Sequence, residues 1–168
     1  MSNERVLALD LATKFGFCDS EGLGSVQLAR ETRHIDFFLW LEERLINYNR
    51  GEAATNYEAV VIENAICQMG HANEVFHELK TCVKILCSTY GINLHLMSPT
   101  HVKKVFTGNG GAKKDAMIDE CLRRGIKVPY TIKKTGVNRG KRKYDEDAAD
   151  AAAIYFTYWE DKKLVDKE

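Results

Sequence analysis

A mixed α/β fold is what this sequence predicts, and three observations carry the prediction. Residues 5–29 hold three strand-length segments separated by turn-forming residues. Residues 33–99 then alternate helical with strand-like apolar spacing. The last third is helical and closes on the alanine-rich run "DEDAADAAAIYFTYWED". The resulting order is β-β-β-α-β-α-β-α-α-α. No internal repeat, low-complexity tract or linker marks a second domain, so residues 1–168 are expected to form one.

Each element has its own justification. "RVLALDLA" (5–12) is an apolar run of strand length, and "FGFCD" and "GSVQLA" follow as the next two strands of a meander. "RHIDFFLWLEERLINYN" sets Ile35, Phe38, Leu39, Leu41 and Leu45 at helical spacing, which predicts a helix reaching Asn49. "YEAVVIEN" (57–64) is a short buried strand. Val75, Leu79, Cys82, Val83 and Leu86 mark a long amphipathic helix over 72–90. Its apolar stripe suits packing on the sheet and a dimer interface equally well. "INLHLMSP" (92–99) alternates as a fifth strand, and Pro99 fits the first turn of the next helix. "THVKKVF" and "AKKDAMIDECLRRG" (112–125) read as two shorter helices, the second stopped by Gly125. Residues 129–144 read as a basic loop kept mobile by Gly136 and Gly140.

Composition excludes several classes. With 45% hydrophobic and 29% charged residues the chain has an ordinary globular make-up. No apolar run approaches the roughly 18 residues of a membrane span. "MSNERVLALDLA" carries an early acid and no small-residue cleavage site, so it does not read as a signal peptide. The five cysteines (18, 67, 82, 87 and 121) are odd in number and include no C-x-x-C pair. They fit the thiols of a reducing, cytoplasmic compartment better than a disulfide frame or a zinc site. The five histidines fall in no metal-binding spacing.

A net charge of zero conceals segregation. Residues 98–144 hold 13 Lys and Arg against 3 Asp and Glu, while the remainder is correspondingly acidic. Such a basic block is the footprint expected for contact with phosphates.

The sign reverses abruptly in "KRKYDEDAADAAAIY" (141–155). Asp145 suits an N-cap, and Asp145, Glu146 and Asp147 suit the positive end of a helix dipole. Asp150 lies beyond the first turn on the face of Asp147, where a like-charge pair at i, i+3 is unfavourable. Asp10 interrupts the first strand among apolar neighbours, and Glu63 ends the fourth. With the first strand central and beside the fourth, Asp10 and Glu63 become neighbours. The last helix packed against them adds Asp147 and Asp150. At ~4 Å spacing and an effective dielectric of ~20, each like-charge pair costs several kcal/mol. Four such acids are stable only around divalent cations or when partly protonated. All-oxygen ligation selects magnesium or manganese over zinc.

These motifs together resemble the RuvC family of Holliday-junction resolvases, within the RNase H-like superfamily. "LALDLATKFGF" matches a first-strand D-x-x-T-x-x-G through Asp10, Thr13 and Gly16. "VVIEN" matches the strand-four glutamate at Glu63, and "DAADAAAI" the closing D-x-x-D at Asp147 and Asp150. "TGNGGAKKDAM" resembles the Gly-rich segment and the Lys-bearing helix start. The resemblance implies an RNase H-like five-stranded mixed sheet flanked by helices. It also implies a homodimer that nicks a four-way DNA junction symmetrically in recombination or repair. Asp10, Glu63, Asp147 and Asp150 would hold two Mg2+ ions, with Mn2+ as substitute and Asp10 bridging. Lys114, with Lys113, would approach the scissile phosphate, while Thr13 and Gly16 shape the turn beside the site. The family's junction wedge, often aromatic, falls in "AICQMGHAN", where Ile66 or Met69 takes its place. Lys133, Lys134, Arg139, Lys141, Arg142 and Lys143 would hold DNA backbone from a loop longer than the short bacterial form. A divergent phage or viral member, acting in the bacterial or infected-cell cytoplasm, is the expectation.

Other readings compete with this one. An actin-like or sugar-kinase ATPase needs two such subdomains, and "GNGGAKK" cannot be fitted to a Walker A loop. An RNase H, a broader flap and branch nuclease, or a non-catalytic DNA-binding module would keep the same fold.

Overall fold

The computed structural model describes residues 4–49, 52–64 and 70–166. Strands β1 (Val6–Asp10), β2 (Lys14–Cys18) and β3 (Leu23–Gln27) form the antiparallel meander. After α1 (Arg33–Leu45) come β4 (Ile46–Asn49), β5 (Glu52–Thr55), β6 (Ala59–Glu63), α2 (His71–Tyr90) and β7 (Asn93–Met97). Three helices and a small hairpin complete the chain: α3 (Pro99–Thr107), α4 (Lys114–Arg123), β8 (Tyr130–Ile132), β9 (Arg142–Tyr144) and α5 (Glu146–Val165). The main sheet has the order β3-β2-β1-β6-β7, with β6 parallel to both β1 and β7. The first strand is therefore central and lies beside the predicted fourth strand, here β6.

Period-two alternation sorts the strand residues into two cores. Leu7, Leu9, Val60 and Ile62 face α1 and α2, packing with Phe37, Leu41, Leu79 and Val83. Val6, Ala8, Ala59 and Val61 face the opposite layer, with Val102, Phe106, Met117 and the alanines of α5. Strands covered on both faces read as continuous apolar runs, as "VLAL" and "AVVI" do. The stripe on α2 is used inside the chain, with Val75, Leu79, Val83 and Leu86 all buried.

The alanines of α5 have a geometric purpose. Ala148, Ala149, Ala151, Ala152 and Ala153 are fully buried, and side chains this small let the helix lie close against β1 and β2. Gly16 makes the same approach possible from the sheet side. A Cβ built on it would stand 1.9 Å from the carbonyl oxygen of Asp147.

Three local expectations are corrected. The first helix ends at Leu45, not Asn49, and the chain continues into a β4–β5 hairpin, from Ile46 opposite Thr55 to Asn49 opposite Glu52. Asn, Tyr and Asn are weak helix formers, and antiparallel pairing offers their backbone an alternative. Residues 129–144 are not a plain loop. They form the β8–β9 hairpin, with Tyr130 opposite Tyr144 and Ile132 opposite Arg142. Gly136 and Gly140, at φ 80° and 83°, turn its end in a left-handed conformation that glycine adopts without strain. Asp10, finally, is the last residue of β1, not an interior one.

Candidate active site

Strand polarity and alternation place the first two acids. β1 and β6 run parallel with Leu9 opposite Ile62, so one further step brings Asp10 abreast of Glu63. By alternation both side chains project to the α5 side, continuing the rows Val6–Ala8 and Ala59–Val61. Ligand sites in such sheets form beyond the carboxyl ends of parallel strands. Helix α5 begins over that edge. Its N-cap is Asp145, whose carboxylate accepts from the Ala148 backbone N–H at 3.3 Å. That cap is tied down further by Lys14 Nζ at 2.9 Å and Ser25 Oγ at 2.5 Å. Asp147 and Asp150 follow on one helix face.

The electrostatics show that these acids share one region. Burial, reinforced by the charges of Asp150, Glu63 and Asp147, pushes the Asp10 carboxyl up to about 8. Burial raises Asp150 to about 6, with Asp147 adding to the rise and Lys114 opposing it. Glu63 is raised by burial and then by Asp150, against the pull of Lys103. Two clefts meet here. One of about 180 Å³ is lined by Asp10, Thr13, Glu63 and Phe76. The other, of about 430 Å³, is lined by Glu63, Asp150, Lys103, Lys113 and Lys114. Glu63 is common to both.

The donor set suits a hard divalent cation, since it consists of carboxylate oxygens alone. Acids driven to retain protons mark a place short of positive charge. Among the described residues, no group of three or more His, Cys, Asp or Glu is already arranged to hold an ion. Lys14 pairs with one carboxylate oxygen of Asp147 at 3.0 Å.

The basic residues divide by position. Lys114 opens α4 and donates to Glu146 at 2.7 Å, a bond that raises its pKa, with Asp150 and Asp147 adding to the rise. Lys113 is the residue before it and lines the same cleft. Thr13 lines the Asp10 cleft, and its carbonyl accepts the Leu28 N–H at 2.9 Å. Gly16 lies inside β2, opposite Asp10, so it does not shape the turn as expected. It admits α5 instead. Lys133, Arg142 and Lys143 line a cleft of about 460 Å³ that includes Glu146, the partner of Lys114. Lys134, Arg139 and Lys141 are exposed at the turn end of the hairpin. Ile66, Met69 and Cys67 lie outside the described residues. Two residues at the site were not singled out from sequence: Lys14, one position after the D-x-x-T motif, and Lys103, in the second turn of α3. Lys14 follows its motif directly, the one signal that could have found it, whereas Lys103 lies in a basic block that gives no such signal.

The main sheet, antiparallel over β3-β2-β1 and parallel over β1-β6-β7, carries acids at the ends of β1 and β6, with two more on the closing helix. Among solved structures, the chain is similar to Thermus thermophilus RuvC in complex with Holliday junction substrate. The identity is 16%, the coverage 94% of this chain and 93% of that one, and the TM-score 0.66. Thermus thermophilus RuvC is a second match, at 18% identity, 95% and 96% coverage and TM-score 0.65. No protein-family model and no curated protein sequence matches the chain. The chain thus shares the fold of these RuvC structures at low sequence identity. No helix among the described residues is long and apolar enough to cross a membrane.

Proposed function

We propose that this chain is a single-domain, metal-dependent endonuclease that resolves four-way DNA junctions by paired symmetric nicks, acting as a homodimer in the cytoplasm. The observation that carries the reading is the convergence of Asp10, Glu63, Asp147 and Asp150 from three elements, beside a rim of Lys103, Lys113 and Lys114. The solved Thermus thermophilus RuvC complex, of the same fold, holds a Holliday junction substrate. Exposed Ile35 and Leu39 on α1 and Ile85 on α2 offer apolar surface to a second copy.

The four carboxylates would hold two Mg2+ ions, or Mn2+. When bound, these supply Lewis acidity that activates a water nucleophile and neutralises charge on the phosphate. The chain's own residues do the positioning. Asp10 and Glu63 are fixed by the sheet, and Asp147 and Asp150 by a helix held close through Gly16 and the alanines. Lys113 and Lys114 stand where a phosphodiester entering the larger cleft would meet positive charge. Lys103, in the same cleft, offsets the charge of Glu63 and Asp150. The basic hairpin extends that charge along the DNA backbone.

A substrate panel with Mg2+ tests the reading: four-way junction, replication fork, flap, RNA–DNA hybrid and ATP. Paired nicks in the junction are expected, with slower or no turnover elsewhere. Preferential cleavage of flaps or hybrid would reassign the substrate, and ATP hydrolysis would overturn the class.

A further inference from the structure

The β8–β9 hairpin presents a face that meets the core at Tyr144 and is otherwise open to solvent. Tyr130, Ile132, Arg142 and Tyr144 project together from its two strands by register and alternation. Tyr130 and Ile132 are 47% and 50% exposed. They are also ordered by one another. The Arg142 guanidinium lies 4.5 Å from the Tyr130 ring centroid and 3.4 Å from the Tyr144 hydroxyl. The two tyrosine rings meet edge to face at 5.7 Å. The ribbon is anchored to the candidate site, because the Asp145 N–H donates to the Pro129 carbonyl at 2.8 Å. Between its base and β2 lies a cleft of about 190 Å³ lined by Tyr130, Tyr144, Lys143 and the Lys14–Asp145 ion pair. Every charged side chain from 130 to 144 is cationic.

From this geometry we infer that the hairpin is a stacking site for an unpaired nucleotide of the bound DNA. The base lies on the Tyr130–Arg142 face, and its phosphate meets Lys143. Aromatic rings and guanidinium planes stack on any base, while lysines beside them track the backbone. A fully paired duplex keeps its bases inside and can offer this face only phosphates. The hairpin therefore favours DNA with open bases, such as a branch point, over plain duplex. The inference rests on the nuclease reading above and adds a determinant of substrate structure outside the carboxylate cluster.

The test uses the full chain in chelator, so that no strand is cut. Fluorescence anisotropy measures Kd for a four-way junction, a single strand and a duplex of equal length. A 2-aminopurine at the branch reports stacking by quenching. The variants are Tyr130→Leu, which keeps apolar bulk without a ring, and Tyr130→Phe, which keeps the ring. Tyr130→Leu should weaken junction and single-strand binding roughly tenfold and relieve the quenching, leave duplex binding within about twofold, and be rescued by Tyr130→Phe. Equal weakening on all three DNAs, or unchanged binding at an unchanged melting temperature, would overturn the inference while leaving the nuclease reading standing. A Tyr130→Leu protein that changes oligomeric state but not DNA affinity would overturn it in favour of a second copy as occupant. A wild-type chain that binds none of the DNAs would overturn both readings together.

Discussion

Gly16 shows how one residue can bring a helix close to a sheet. It lies opposite Asp10 in β2, and the Asp147 carbonyl occupies the space that any side chain would need. Gly16→Ala is expected to cost about 1–3 kcal/mol of stability or more, since neither neighbouring backbone can yield easily. It should also displace Asp147 and abolish cleavage. Denaturant unfolding and a junction-cleavage assay check both, and wild-type activity at unchanged stability would refute the close packing of α5 on β2. The acids themselves were legible, because Asp10 and Glu63 stand against an apolar background and Asp147 and Asp150 against alanine. Asp145 was legible as a cap but not as the partner of Lys14 and Ser25, which come from strands more than a hundred residues earlier. Such pairings depend on sheet order, and no local pattern encodes them. Lys103 was hidden differently, as one of 13 basic residues in a block with nothing to set it apart from its neighbours.

The five strands of the main sheet and the five helices were readable because each carries enough residues to show a period. The two short hairpins were not. β8 and β9 have three residues each, too few for alternation to emerge, and their charge suggested a solvated loop. The helix signal of α1 ran past its end because the next residues lack any glycine or proline stop. The hairpin's postulated role on the DNA backbone has a direct test. Replacing Lys141, Arg142 and Lys143 together with alanine should weaken DNA binding. The slope of log K against log salt should flatten by up to roughly 0.9 for each phosphate that the variant no longer neutralises. Cleavage at saturating protein should fall much less than affinity, since the carboxylates are untouched. An unchanged salt slope with the fold intact would return these side chains to solvent.

The whole molecule balances an acidic cluster against the stability of its own core, and pH exposes the balance. Asp10 and Asp150, raised to about 8 and about 6, hold protons more tightly when folded than when unfolded. Their contribution is fully present below the ordinary carboxylate range and is lost as pH rises through those two values. In chelator the melting temperature should therefore fall between about pH 5 and 8.5, and Asp10→Asn should flatten the upper part of that fall. Excess Mg2+ should raise it again at pH 8, as any ligand of the folded state does. A melting temperature that rose with pH in chelator would contradict the assigned burial and repulsion. The overall topology was accessible from sequence because hydrophobic period and element order leave few arrangements, whereas the closeness of α5 to the sheet became visible only in three dimensions. The most direct test of the central claim, that four carboxylates act as one metal-dependent site, is cleavage of a labelled four-way junction. It compares the wild-type chain with Asp10→Asn, Glu63→Gln, Asp147→Asn and Asp150→Asn, each in Mg2+ and in excess chelator. Paired nicks by the wild type in Mg2+ alone are expected, with every variant still binding the junction but cutting it at least a hundredfold more slowly (~2.7 kcal/mol in the barrier). Full cleavage in chelator, or wild-type rates from any two of the variants, would contradict it.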